Sequence, residues 1–179
     1  MRLLLFPLFL FVCVACSVAG QRGSEETVAA FEVPLPKVED RAAFLAILRD
    51  AAKAEGGHVD AATDAELRDT GVAIPLAKMS VHAAAWQGSD DNHSWAVIMD
   101  QADHLGQVWI MFSRDDDEKS STGFRVRAMQ NIRARWPGTL SLPILDRRTI
   151  PLRSDLIRTL QGYRLKASAA SKYESKPKN

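Results

Sequence analysis

Both cysteines of this 179-residue chain, Cys13 and Cys16, fall within its first sixteen residues, and that placement limits the rest of the chain more than any other feature. Downstream of them there is no disulfide, no thiolate metal site and no cysteine nucleophile. The remainder must be held by an apolar core of its own, and about 160 residues suffice for one such core. Composition agrees, since 46% hydrophobic and 25% charged residues are the proportions of a folded domain and not of a disordered chain.

The cysteines sit in or beside an apolar run. Met1 and Arg2 precede Leu3 to Val14 (LLLFPLFLFVCV), which has the length of a signal-peptide core and falls short of the roughly 20 residues that span a bilayer. Ser17-Val18-Ala19 offers the small residues a signal peptidase needs for cleavage after Ala19. Val14-Ala15-Cys16 offers a second route. That tripeptide resembles the end of a bacterial lipoprotein signal, with Cys13 standing where the class usually has Leu or Val. The resemblance implies cleavage before Cys16 and lipidation of Cys16, and Ser17 in place of Asp implies outer-membrane sorting, facing the periplasm. Cleavage after Ala19 would instead release a soluble periplasmic or secreted protein. We therefore expect a signal peptide over 1–15, a small and polar tether over 16–37, one domain over 38–170 and a disordered tail over 171–179.

Along the domain, Phe44, Ile47, Leu48, Ala51 and Ala54 recur at helical spacing between Val38 and Glu55, and Gly56-Gly57 should end that helix. Thr63-Asp64-Ala65-Glu66 carries a capping-box pattern for a second, short helix. Met79 to Trp86, Ser94 to Asp100 and Gln107 to Ser113 read as strands, and the short segments between them predict an antiparallel meander. Arg114 to Gly123 reads as a charged loop, followed by a helix over Phe124 to Trp136 that begins nearer Ala128 if its first residues are extended. Prolines in Leu142-Pro143-Ile144 and Ile150-Pro151-Leu152 confine those segments to edge or irregular positions. Leu156 to Leu160 and Tyr163 to Lys166 should form a hairpin about Gln161-Gly162, followed by a short Ala-rich helical turn. The fold class expected is α+β, a single small domain with N-terminal helices packed on a mostly antiparallel sheet.

Motifs with chemistry are few. There is no nucleophile elbow, no zinc-protease helix motif, and no phosphate-loop or dinucleotide fingerprint, so no cofactor is implied. Asp90, Asp91 and His93 precede the second meander strand, and Asp115 to Glu118 follow the third. Those loops should share one end of the sheet, which makes Asp90, Asp91, His93 and Asp116 weak candidates for a hard cation. His58 and His82 have no motif.

The net charge of +1 conceals a division. Residues 21–118 hold 8 basic and 19 acidic groups, whereas residues 119–179 hold 14 basic and 3 acidic. Arg125, Arg127, Arg133, Arg135, Arg147 and Arg148 dominate the basic half. Arginine favours forked contacts with carboxylate or phosphate, so these six are the candidate partner-binding residues, unless they pair internally with the acidic half. The expected function is an envelope-anchored, non-enzymatic binding lipoprotein. Its partner would be an acidic protein or another anionic envelope component and not nucleic acid, in the manner of an inhibitor, an immunity-type partner or an assembly accessory. The alternatives are an envelope hydrolase with scattered carboxylates, which would leave no local signature, and a structural lipoprotein bound to peptidoglycan or lipopolysaccharide.

Overall fold

A computed structural model describes residues 26–69, 81–87, 94–100, 106–114, 116–145 and 149–174. Its elements in chain order are β1 (Thr27–Pro34), α1 (Val38–Ala54), β2 (Gly57–Ala61), α2 (Asp64–Asp69), β3 (His82–Gln87), β4 (Ser94–Asp100), β5 (Gln107–Ser113), α3 (Glu118–Arg135), β6 (Leu140–Ser141), β7 (Leu156–Thr159), β8 (Gly162–Leu165) and α4 (Ala170–Tyr173). One sheet joins all eight strands in the order β2-β3-β4-β5-β1-β6-β8-β7. The single bridge between β6 and β8 is its only parallel pairing among the described residues. This is the expected α+β class with a mostly antiparallel sheet, and β3, β4 and β5 form the expected meander.

The main difference from expectation is β1. Thr27–Pro34 falls in the stretch expected to be tether, yet it pairs with β5 on one side and β6 on the other. Alternation explains its central place. Val33 and the half-buried Phe31 face the helices, while Ala30 and Glu32 face a second apolar cluster with Trp109, Leu142 and Leu156. The small and polar residues leading into it made the segment look like tether, and the partner of its buried Glu32, Arg153, lies 121 residues away in the chain. The strand β2 was likewise not foreseen, because Gly57 reads as a helix stop.

Helix α1 ends at Ala54, as the Gly56-Gly57 pair suggested. Its buried residues Phe44, Leu48, Ala51 and Ala52 meet Phe124, Ala128 and Ile132 of α3 in one cluster over Val33, Ile98, Ile110 and Phe112 of the sheet. Phe124 stands 5.8 Å from Phe112 and 5.5 Å from Trp95, ring centre to ring centre. Phe44 meets Trp136 edge-on at 6.0 Å, so the residue just past α3 closes the end of the core.

Helix α3 begins at Glu118, six residues earlier than Phe124 and well before Ala128. The acidic run read as a loop is its cap: the Asp117 carboxylate accepts the Ser120 N–H at 3.1 Å, which satisfies one of the free N–H groups at the helix start. Helix α2 carries the expected capping box, with Glu66 accepting the Thr63 N–H at 2.7 Å and Thr63 Oγ1 accepting the Glu66 N–H at 3.2 Å.

Beyond α3 the two proline-bearing segments are irregular, as anticipated, and Leu145 N–H donates to the Thr149 carbonyl. The β7–β8 hairpin turns at Gly162, whose φ of 142° suits glycine. Ser171 to Tyr173, expected to begin a disordered tail, belong instead to α4, where Lys172 and Tyr173 bind Asp155. Among the described residues, no helix is long and apolar enough to cross a membrane.

Because Phe124 joins both helices to the sheet without any exposed surface, Phe124→Ala should lower unfolding free energy by about 3–5 kcal/mol. Urea denaturation followed by tryptophan fluorescence measures it.

Candidate functional site

The helix that carries most of the candidate arginines is sorted by burial along its length. Phe124, Ala128, Met129 and Ile132 are buried, together with Ser121 near its start. At 100° per residue these occupy one side, and Val126, Gln130, Arg133, Ala134 and Arg127 fall on the other. All five of the latter are exposed, Val126 at 58%. The outcome is a ridge of small or neutral side chains flanked by Arg127 and Arg133.

Each arginine has a distinct environment. Arg127 Nη2 lies 3.3 Å from Glu55 Oε1, linking α3 to the end of α1. That carboxylate lies against Gly123, where an added Cβ would stand 2.6 Å from it and would push the Glu55 side chain aside. The Arg133 guanidinium sits 5.1 Å from the Phe31 ring centre and that of Arg135 sits 5.3 Å from Trp136. Stacking on a ring holds a guanidinium by its face and leaves its N–H edge available. Arg125 is half-buried in a small cleft with Val28, Ser113 and Ser121. Arg127 is thus the one α3 arginine with a carboxylate partner among the described residues. Arg147 and Arg148 lie outside the described residues.

The two halves also pair inside the protein. Glu32, 4% exposed, forms an ion pair with Arg153. It also accepts hydrogen bonds from Trp109 Nε1 at 3.0 Å and from the Tyr163 hydroxyl at 2.6 Å. Arg153 in turn lies over the Tyr163 ring and donates to its hydroxyl at 3.2 Å. These contacts clamp the 3₁₀ turn Arg153–Asp155 and β8 onto β1.

A second clamp closes the C-terminal segment. The Lys172 ammonium and the Tyr173 hydroxyl each approach Asp155 at 2.8 Å. These bonds, Lys172 first, hold the Asp155 carboxyl below its ordinary value, and Asp155 raises Lys172 in return.

Sequence reasoning missed one further pair. His82 Nε2 lies 2.6 Å from Oδ1 of Asp100, whose side chain is 5% exposed, while the imidazole is half in solvent. Antiparallel register brings them together, with His82 opposite Met99. Nothing local in either segment signals a pairing across 18 residues.

Of the cation candidates, Asp90, Asp91 and His93 lie outside the described residues, and Asp116 is exposed. The Gln87 side chain donates to Asp117 at 3.1 Å, so the end of β3 does lie beside the start of α3. Among the described residues, no three His, Cys, Asp or Glu side chains are grouped so as to hold a metal. No protein family, curated protein or solved structure matches this chain.

Two measurements test the clamps. Glu32→Ala strands a largely desolvated guanidinium and should cost about 3–5 kcal/mol, whereas replacing Glu32 and Arg153 together by leucines should recover the part due to the stranded charge, but not the acceptor lost to Trp109 and Tyr163, in urea denaturation. Asp155 contributes stability above its ordinary value of 3.8, and that contribution is lost as pH falls through its depressed folded value. Asp155→Asn should therefore flatten the acid limb of a stability-against-pH curve below about pH 4.

Proposed function

We propose that this protein is an exported, lipid-anchored binding protein whose α3 face engages an acidic partner protein. The observation that carries the reading is the state of Arg133 and Arg135. Both are exposed, both lie over aromatic rings, and neither has a carboxylate partner among the described residues. Ordering two guanidinium groups in advance lowers the entropy lost when a partner's carboxylates bind them. Between Arg133 and Arg127 runs the ridge of Val126, Gln130 and Ala134, with Arg135 at the C-terminal end of the helix, and an interface needs such contact area that is free of charge.

The partner's chemistry follows from the same face. From Glu118 to Arg135 the helix has five basic residues and one acidic, so an approaching surface must be acidic and shaped to lie along up to about five turns of helix. Anchoring supplies the location: an acyl group on Cys16 would hold the domain at the periplasmic face of the outer membrane, and the following residues would serve as tether.

Capture of the partner from solubilised membranes should weaken as salt rises, and should fall at least tenfold with Arg133→Glu combined with Arg135→Glu while the circular dichroism spectrum stays unchanged. Unchanged capture by that variant would remove α3 as the binding face. Cys16→Ser should move the protein from the membrane to the soluble fraction, and continued membrane association would refute the anchor.

A further inference from the structure

The arginines that α3 does not hold have a different setting. The β7–β8 hairpin is the outer edge of the sheet, and its residues Ile157 to Gln161 are exposed without interruption. Leu160, at the tip, is the most exposed large apolar side chain among the described residues, with its whole surface in solvent. Ile157 is 38% exposed and pairs across the hairpin with Arg164. Arg158 and Arg164 are exposed and have no carboxylate partner among the described residues. From Leu156 to Tyr173 the chain has four basic residues, Arg158, Arg164, Lys166 and Lys172, and no acidic one. Beside the tip lies an open concavity of about 820 Å³ whose walls include Leu142, Pro143, Leu160, Tyr163 and Arg164.

An apolar tip on a basic stem is the pattern that suits the boundary between lipid headgroups and acyl chains: the leucine leaves water while the guanidinium groups stay level with phosphates. A protein surface would meet the stem's charge but would leave a single projecting leucine with little to fill. We infer that the β7–β8 hairpin is a membrane contact, in which Leu160 enters the interface of an anionic phospholipid surface and Arg158 and Arg164 bind its phosphates.

The geometry lets the hairpin and the anchor reach one surface. Gly162 is level with Ser141, and Ser141 with Phe31, so the tip lies near the level of Val33 along β1. That is about 20 Å along the sheet from Thr27, at about 3.3 Å per residue. The eleven residue steps from Cys16 to Thr27 span up to about 36 Å. With both ends on the membrane, the domain would be held in one orientation, with its helix layer at a defined height for a partner. The inference rests on the envelope reading only for access to a membrane.

The test uses the mature full chain with Leu160→Cys, labelled with a polarity-sensitive fluorophore. If Cys16 is acylated and Cys13 removed, this is the only free thiol. Vesicles of phosphatidylcholine are compared with vesicles that also contain phosphatidylglycerol. The label should shift to the blue only with phosphatidylglycerol, and the shift should be lost with Arg158→Glu plus Arg164→Glu. A label at Ala46, exposed on α1, should not respond in either. No shift at Leu160, an equal shift in both vesicle types, or an equal shift at Ala46 would overturn the inference. Whether the protein floats with phosphatidylcholine vesicles reports the anchor separately. Should it remain unanchored, Cys13 and Cys16 are changed to Ser and the same label is read with vesicles added, so the failure of one reading does not conceal the other.

Discussion

A carboxylate in the centre of a sheet is the constraint around which the C-terminal third of this protein is arranged. Glu32 lies on β1, between β5 and β6, with 4% of its surface exposed. A charge so placed is tolerated only when it is paired and its remaining lone pairs are occupied. Trp109 supplies one donor from the adjacent strand, and Tyr163 and Arg153 supply the rest from beyond α3. The hairpin joins the rest of the sheet by backbone through one bridged pair, Ser141 with Gly162. Its attachment thus depends on this side-chain cluster and on the small apolar group of Ala30, Trp109, Leu142 and Leu156. The Asp155 clamp then fixes α4 against the same segment.

That arrangement changes the meaning of the charge division. Among the described residues, the acidic and basic halves meet at two side-chain pairs, Glu32 with Arg153 inside the protein and Glu55 with Arg127 on the helix layer. Other acidic groups are used locally, Asp117 and Glu66 as helix caps and Asp64 in an ion pair with Arg41. Among the described residues, the surplus of positive charge lies in two places, along α3 and on the β7–β8 hairpin. The two surfaces differ in kind, because α3 offers a ridge between Arg127 and Arg133 and the hairpin offers a single apolar tip.

Much of this fold was legible because its periodic segments are also its local ones. The meander, α1 and the C-terminal hairpin each announce themselves within a short window, through alternation, helical spacing or a glycine turn. What was not legible depends on distant partners. Small, polar residues up to Ala30 made β1 look like tether, since the Arg153 that pairs with its Glu32 is 121 residues away, and Gly57 disguised β2 because one glycine both ends a helix and lies under Trp95. The DDDE run looked like a loop although Asp117 is a cap, and the Ser120 that completes it was read as part of that loop. For the site, the chain marked the arginines but could not show which of them rest on rings, since Phe31 and Trp136 meet Arg133 and Arg135 only in the folded protein. The His82–Asp100 pair was invisible for the same reason.

The proposed envelope binding role depends most directly on whether the ridge of α3 touches another protein. A photo-crosslinking residue placed at Gln130, between Arg127 and Arg133, reports that contact in intact membranes without purification. The account predicts one discrete adduct with an acidic protein, absent when Arg133 and Arg135 are replaced by Glu. It would be contradicted by no adduct at Gln130, or by an adduct that the two charge reversals leave unchanged.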